Sequence, residues 1–322
     1  MKDKKSQTDW HGKPYYSLDA YCKNTFQHKC YKIALNAHMT CPNRDGTLGT
    51  RGCIFCSRGG SGDFAVSLTS PDDLSAQLAE GIRLFGDKKI GQDFIAYFQA
   101  YTNTYAPISY LEQQYVKALE HPNICGISIA TRPDCLPNEV LHLLEDLKKR
   151  YPEKFIWIEL GLQTIHEKTA AYIRRGYELS VFEEALERLA AISIPVIVHV
   201  ILGLPQETDE MMFQTISYLN TRKVWGVKLQ LLHILKDTDL ADEYLLGKVQ
   251  PLTKDHYLSL VIRSLELLRP DMVIHRVTGD GPKNLLLAPE FSKNKRDVLN
   301  SLHMRMKQEG ARQGRLYSPT LS

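Results

Sequence analysis

Six short runs rich in β-branched and aromatic residues alternate with helix-like segments from residue 30 onward, and this limits the folds open to the chain. The runs are 30–36 (CYKIALN), 94–100 (FIAYFQA), 124–130 (ICGISIA), 155–163 (FIWIELGLQ), 195–203 (PVIVHVILG) and 225–234 (WGVKLQLLHI). Each is nearly continuously apolar, as strands buried on both faces are. Helix candidates at 107–120, 137–150, 181–192 and 208–221 fall between them. Ser70-Pro71-Asp72-Asp73 opens another, with a cap, a proline at the first helical position and acids in the first turn. This order builds a parallel α/β sheet rather than a sandwich. Six units fall short of the eight of a closed barrel, so the expected fold is an open, partial (β/α)6 barrel.

Beyond about residue 235 the alternation loosens. Residues 254–268 read as a helix, 272–282 (MVIHRVTGDGP) as a strand ending in a Gly-rich turn, and 292–309 as a basic helix. The expected organisation is a core domain over 24–265 and a basic C-terminal α+β extension over 266–322 packed on the barrel. Residues 310–322 are expected to fray.

The 322 residues are 43% hydrophobic and 24% charged, ordinary values for a soluble globular protein. No apolar run approaches the ~18 residues of a membrane span. The N-terminal MKDKKSQTDWHGK has a basic start with no apolar segment behind it, unlike a secretory signal, so a cytoplasmic location without membrane contact is expected. The net charge of +3 is unevenly placed. Residues 1–40 carry seven Lys/Arg against three Asp/Glu, and 283–322 carry eight against three. The stretch between them is acidic. Basic ends on an acidic body suggest a polyanion footprint, nucleic acid first, although solvated charged tails would look the same.

The chemistry concentrates in CPNRDGTLGTRGCIFC, where Cys41, Cys53 and Cys56 share one glycine-rich stretch directly after the first strand. Its glycines and its Asn-Arg-Asp-Gly signal describe a long, sharply turning loop. Three thiolates on such a loop can hold three irons of a cubane cluster and leave the fourth iron open to a small molecule. A zinc site completed by His38 or His28 is the alternative, although only Cys53-Ile54-Phe55-Cys56 forms a knuckle. Cys22 and Cys30 precede this loop and could serve a second metal, and Cys125 falls in a buried strand. The odd total of seven cysteines argues against a disulfide framework.

In parallel α/β sheets, ligands gather at the carboxyl ends of the strands. Polar residues stand at those ends here: Gln99 through Tyr101, Asn103 and Tyr105, then Thr131-Arg132-Pro133-Asp134, then Glu159 and Gln163. Glu159 and Gln163 are four residues apart in one strand and face the same side. A Glu in an apolar strand needs a cation, which Arg132 or Arg174 could supply. His199, Lys228, Gln230 and His233 lie in or near strands five and six. Together these residues describe a lined cavity.

These segments together resemble the radical S-adenosylmethionine (SAM) superfamily. The Cys-x-aromatic-Cys ending of the loop matches, whereas the first gap holds eleven residues instead of the usual three. Such wide gaps are a feature of the Elp3-like branch. Ser128-Ile129-Ala130-Thr131-Arg132-Pro133-Asp134, Glu159-Leu160-Gly161-Leu162-Gln163-Thr164, Arg174-Arg175-Gly176-Tyr177 and the run from His199 through Gly203-Leu204-Pro205 to Thr208 also resemble that branch in order and spacing. The match covers roughly 24–265. The CPNRDGT…GCIFC form and HRVTGDGP (275–282) look closer to its bacterial YtqA/YhcC-type subfamily, also called MnmL. The chain stops too early for the acetyltransferase domain of Elp3 proteins.

The resemblance implies a radical SAM barrel with one [4Fe–4S] cluster on Cys41, Cys53 and Cys56, whose fourth iron is chelated by the SAM amine and carboxylate. Reductive cleavage of SAM would yield a 5′-deoxyadenosyl radical in a shielded pocket. It implies SAM contacts from Glu159 and Gln163, from the backbone near Gln99, from Arg174 and from the Gly203-Leu204 turn. Tyr101, Asn103, Tyr105, Arg132 and Lys228 would face the mouth and meet the modified base. The implied reaction removes the carboxymethyl group of 5-carboxymethylaminomethyl-(2-thio)uridine at the tRNA wobble position. The implied partners are tRNA, an electron donor such as flavodoxin or ferredoxin, and a tRNA methyltransferase acting on the product. Radical SAM chemistry on a small molecule, as in coproporphyrinogen-type oxidases, and a zinc-stabilised RNA-binding module without catalysis are the alternatives.

Overall fold

The computed structural model describes residues 9–60, 74–85, 93–279 and 281–319. Strands β1 (Tyr31–Leu35), β2 (Phe94–Phe98), β3 (Ile124–Thr131), β4 (Phe155–Gln163), β5 (Val196–Leu202) and β6 (Gly226–Leu231) lie side by side in chain order, every pair parallel. A short β7 (Ile234–Leu235) leaves the sheet, and β8 (Val273–Arg276) joins it as a seventh parallel strand beside β6. β9 (Leu286–Ala288) pairs antiparallel with β7 in a separate two-stranded patch.

The helices are α1 (Leu18–Phe26), α2 (Leu74–Phe85), α3 (Ile108–Leu119), α4 (Asn138–Arg150), α5 (Glu167–Tyr172), α6 (Leu179–Ala191), α7 (Asp209–Asn220), α8 (Asp239–Leu245), α9 (Lys254–Leu267) and α10 (Lys295–Glu309). The expected capping sequence at 70–73 lies outside the described residues. Thr208 and Thr253 cap α7 and α9 by accepting hydrogen bonds from Met211 and His256 backbone N–H groups, and each helix opens with acids or an acid in its first turn.

The sheet curls strongly. Flat strands four apart would be separated by roughly 19 Å. Yet Lys228 of β6 reaches the Tyr97 hydroxyl of β2 at 3.0 Å. The outer face packs apolar residues such as Leu35, Phe98, Ile129, Leu160, Val198 and Leu229 against the helices in one continuous core. The inner face follows the two-residue period of the strands and stacks in tiers. An apolar lower tier holds Ile95, Trp157 and Ile197, packed with Cys22 and Cys30. Side-chain contacts join Lys32, Tyr97, Ser128, Glu159, His199 and Lys228 into a middle tier, and the inward residues two positions further along each strand, Ala34, Gln99, Ala130, Gly161, Ile201 and Gln230, lie above it towards the cysteine loop.

The segments before β1 and after α10 close the lower end together. Tyr21 of α1 packs edge-on against Trp225 and Trp157, with ring centroids at 4.9 and 5.9 Å. The segment expected to fray is fixed up to residue 319. The buried Gln313 side chain accepts from the Tyr16 N–H at 2.8 Å and donates to the Arg269 and Met272 carbonyls at 2.8 and 2.9 Å. A polar side chain with three backbone partners is a structural lock, which polarity and position alone do not reveal.

Candidate active site

One cavity of about 400 Å³ runs from the cysteine loop into the barrel, and Cys41, Cys53 and Cys56 all line it. The loop is held from within and from beneath. Asn43 donates to the Arg174 carbonyl at 2.7 Å and to Cys53 Sγ at 3.5 Å. Arg44 donates to the Cys56 and Ser57 carbonyls at 2.8 and 2.7 Å. Gly52 has a positive φ of 73°, and a Cβ there would press on the Arg44 guanidinium at 2.9 Å. The Tyr101 N–H donates to the Gly60 carbonyl at 2.8 Å, and the Tyr101 hydroxyl donates to the Arg58 carbonyl.

The three thiols line one cavity, near enough that Cys56 and Cys41 act electrostatically on Cys53. A cubane would meet each thiolate at a different iron. Burial pushes the Cys53 thiol up to about 12, and the neighbouring Cys56 adds to the rise. Such a thiol ionises when a positively charged metal centre faces it, which suits a cluster ligand. His28 cannot complete the site. It precedes β1 at the opposite end of the barrel and pairs with Asp93 at 2.5 Å. Cys22, Cys30 and Cys125 also lie at that far end, around Trp157.

The cavity brings together Gln99, Tyr101, Arg132, Glu159, Gln163 and Lys228 of the expected site residues. Gln99 Nε2 and Gln163 Oε1 are buried with no hydrogen-bond partner among the described residues, so both have capacity for a polar cofactor. Gln163 has a positive φ of 65° at a bulge in the β4–β5 pairing. Gly161, two residues earlier in β4, leaves room that a Cβ would take, 2.9 Å from Gln163 Nε2.

The remaining expectations need correction. Glu159 is 0% exposed, and neither Arg132 nor Arg174 pairs with it. Its Oε1 accepts from Lys32 at 2.5 Å and Ser128 at 2.6 Å, and its Oε2 from His199 at 2.6 Å and from Lys228. Its oxygens are thus engaged one tier below the Gln99 level. Lys228 sits in that same middle tier, buried, and not at the mouth. Arg132 is bound by Asp134 at 2.6 Å and stacks on Tyr177. Arg174 turns away from the cavity, donating to the Gly52 carbonyl at 2.8 Å and pairing with Asp239. Asn103 is buried behind the wall, where its side chain donates to the Ala130 carbonyl at 3.0 Å. Tyr105 bonds Thr47 at 3.0 Å and lines a separate outer depression. Gly203 packs near Leu252, and Leu204 is buried in an apolar cluster with Ile54 and Ile173, so neither lines the cavity. Lys32 and Tyr97 were absent from the expected site. The two-residue period is the signal that places them inward: Tyr97 stands two positions before Gln99 and Lys32 two before Ala34, and both later residues line the cavity.

Comparison with known proteins adds an independent line. The family description "Radical SAM superfamily" matches residues 46–219, and "Radical_SAM C-terminal domain" matches 224–308. The chain is 41% identical to YtqA of Bacillus subtilis over 305 residues, 95% of this chain and 93% of that protein. It is 32% identical to YhcC of Escherichia coli K12 over 293 residues, 91% of this chain and 92% of that protein. Among solved structures, Elp3 of the archaeon Methanocaldococcus infernus superposes with a TM-score of 0.66 at 14% identity. The superposition covers 88% of this chain but only 64% of that one, and the shared feature is the fold.

Proposed function

This chain belongs to the radical SAM superfamily, on the branch of YtqA, YhcC and Elp3-like proteins, and from that premise we propose that it modifies the wobble uridine of tRNA. The proposed reaction converts 5-carboxymethylaminomethyl-(2-thio)uridine to 5-aminomethyl-(2-thio)uridine. The carrying observation is that the three loop thiols and the inward groups of the curled sheet share one cavity. The superfamily's cofactors are a [4Fe–4S] cluster and SAM, which when bound supply a 5′-deoxyadenosyl radical.

The residues present suit that use. Cys41, Cys53 and Cys56 would hold the cluster, and Gln99 and Gln163 offer open polar atoms to SAM. The apolar lower tier closes one end of the barrel and keeps water from a radical. Phe55 and Tyr101 line the cavity on the cysteine-loop side and can stack an extruded base. Flavodoxin or ferredoxin is the proposed electron donor, and a tRNA methyltransferase the enzyme consuming the product.

The reaction is tested with anaerobically reconstituted protein, SAM, reductant and tRNA carrying 5-carboxymethylaminomethyl-2-thiouridine, read by nucleoside mass spectrometry. The expected result is 5-aminomethyl-2-thiouridine together with 5′-deoxyadenosine. 5′-Deoxyadenosine with an unchanged nucleoside would move the substrate to a small molecule or another RNA.

Phosphate contacts are proposed for the basic C-terminal segment, where Lys293, Lys295 and Arg296 are exposed. Changing all three to glutamine is expected to weaken tRNA binding and to lower the slope of log K against log salt by about 2 to 3. An unchanged slope by filter binding would remove this segment from the interface.

A further inference from the structure

The middle tier of the barrel holds more positive than negative side chains. Lys32 and Lys228 both line the cavity, and the carboxylate that both contact, Glu159, is saturated by its four partners. Lys228 and Lys32 lie over the same Tyr97 ring, at 4.2 and 4.7 Å from its centroid, so both ammonium groups border one volume. Burial holds Lys228 well below the ordinary lysine range even with Glu159 in contact, and Lys32 and Arg276 push the same way. Burial also keeps the imidazoles of His199 and His275 neutral near pH 7. Neither His275 ring nitrogen has a hydrogen-bond partner among the described residues. Cations crowded in a low-dielectric cavity are relieved by an anion from outside.

We propose that this tier is a carboxylate-binding subsite in which Lys228 and Lys32 receive the acid end of the substrate. Naming the carboxymethylaminomethyl arm as the bearer of that acid rests on the tRNA reading above. The depth suits it. One tier separates the lysines from the Gln99 level, about 6.6 Å along a strand, which a short acid-ended arm can cross. The charge pattern also discriminates between the two ends of the reaction. Removal of the carboxymethyl group deletes the anion and leaves the ammonium of the aminomethyl arm directed at lysines. The subsite therefore holds the substrate and repels the product.

The test uses reconstituted holoenzyme with SAM and no reductant, so that binding is read without turnover. The probes are 5-carboxymethylaminomethyluridine and its carboxamide, which has the same shape without the charge. Wild type is expected to bind the acid at least tenfold more tightly. The preference should fall to about one in Lys228→Met and shrink severalfold in Lys32→Met, with iron content and melting temperature reporting that each variant folds. Equal affinity of wild type for acid and amide would overturn the subsite, as would a full preference surviving in both folded variants. A second pair, N-acetylglycine and its amide, followed by ligand-observed NMR, separates the two readings. Acid preference in this pair without binding of either nucleoside would keep the subsite and discard the uridine substrate.

Discussion

Cys53→Ala protein, reconstituted anaerobically, is expected to yield no detectable 5-aminomethyl-2-thiouridine and no 5′-deoxyadenosine. The loss should exceed about a thousandfold, equivalent to about 4 kcal/mol or more in the barrier. The reason is arithmetic of ligands: in the proposed site each of three thiolates would hold one iron, and Cys53 is the one tied to Asn43 and lying against the Arg174 carbonyl. An alanine there leaves a corner of the cluster without a protein ligand. Iron and sulfide analysis checks the cause, since wild type should carry about four of each per chain and the variant far less. Wild-type iron content in the variant, with normal 5′-deoxyadenosine, would remove Cys53 from the cluster.

Glu159→Ala is expected to have the largest effect on stability. It leaves Lys228 and Lys32 with no carboxylate between them, and breaking a buried pair in this way costs about 3 to 5 kcal/mol. The double variant Glu159→Met with Lys228→Met should recover most of that loss, because it removes both charges at similar volume. Denaturant titration reads both. Failure of the double variant to recover would mean that the cost comes from packing, not from charge.

The same cluster sets an acid limit. Burial, reinforced by Lys228, lowers His199 to about 4, so the unfolded chain takes up a proton at this residue more readily than the folded one between pH 6.5 and about 4. Stability therefore falls as pH drops through that window. Glu159 acts below it. Burial alone would raise its pKa, but Lys228 and Lys32 outweigh burial and hold it well below the usual carboxylate range. Its contribution is present above about 4.5 and is lost as pH falls further. Glu159→Ala should lose the lower part of this dependence.

The barrel was legible because its strands are short, apolar and separated by helices whose ends match expectation within a few residues. That Cys41, Cys53 and Cys56 share one cavity was legible because all three stand on one glycine-rich loop directly after a strand. The rest depended on curvature. Whether Lys228 faces a mouth or a floor is set by how far the sheet closes, and that brings β2 and β6 together across the interior. Likewise Arg174 follows the motif into the site region, yet Asp239 of α8, far along the chain, turns its guanidinium away. The short helices α1, α5 and α8 were missed because each spans only six to nine residues, too few for a periodic pattern to emerge.

The hydrogen bond from Tyr16 to Gln313 joins positions 297 apart, and the Gln313 N–H returns to the Pro14 carbonyl. On the ribosome, the segment carrying Tyr16 and Tyr21 emerges before every strand of the sheet, and Gln313 after all of them. The first six strands can pair in turn, since each neighbours the one before it, but this tie at the base forms only after Gln313 has left the exit tunnel. A chain cut short before that glutamine is expected to fold its sheet without the tie that holds the first segment to the base.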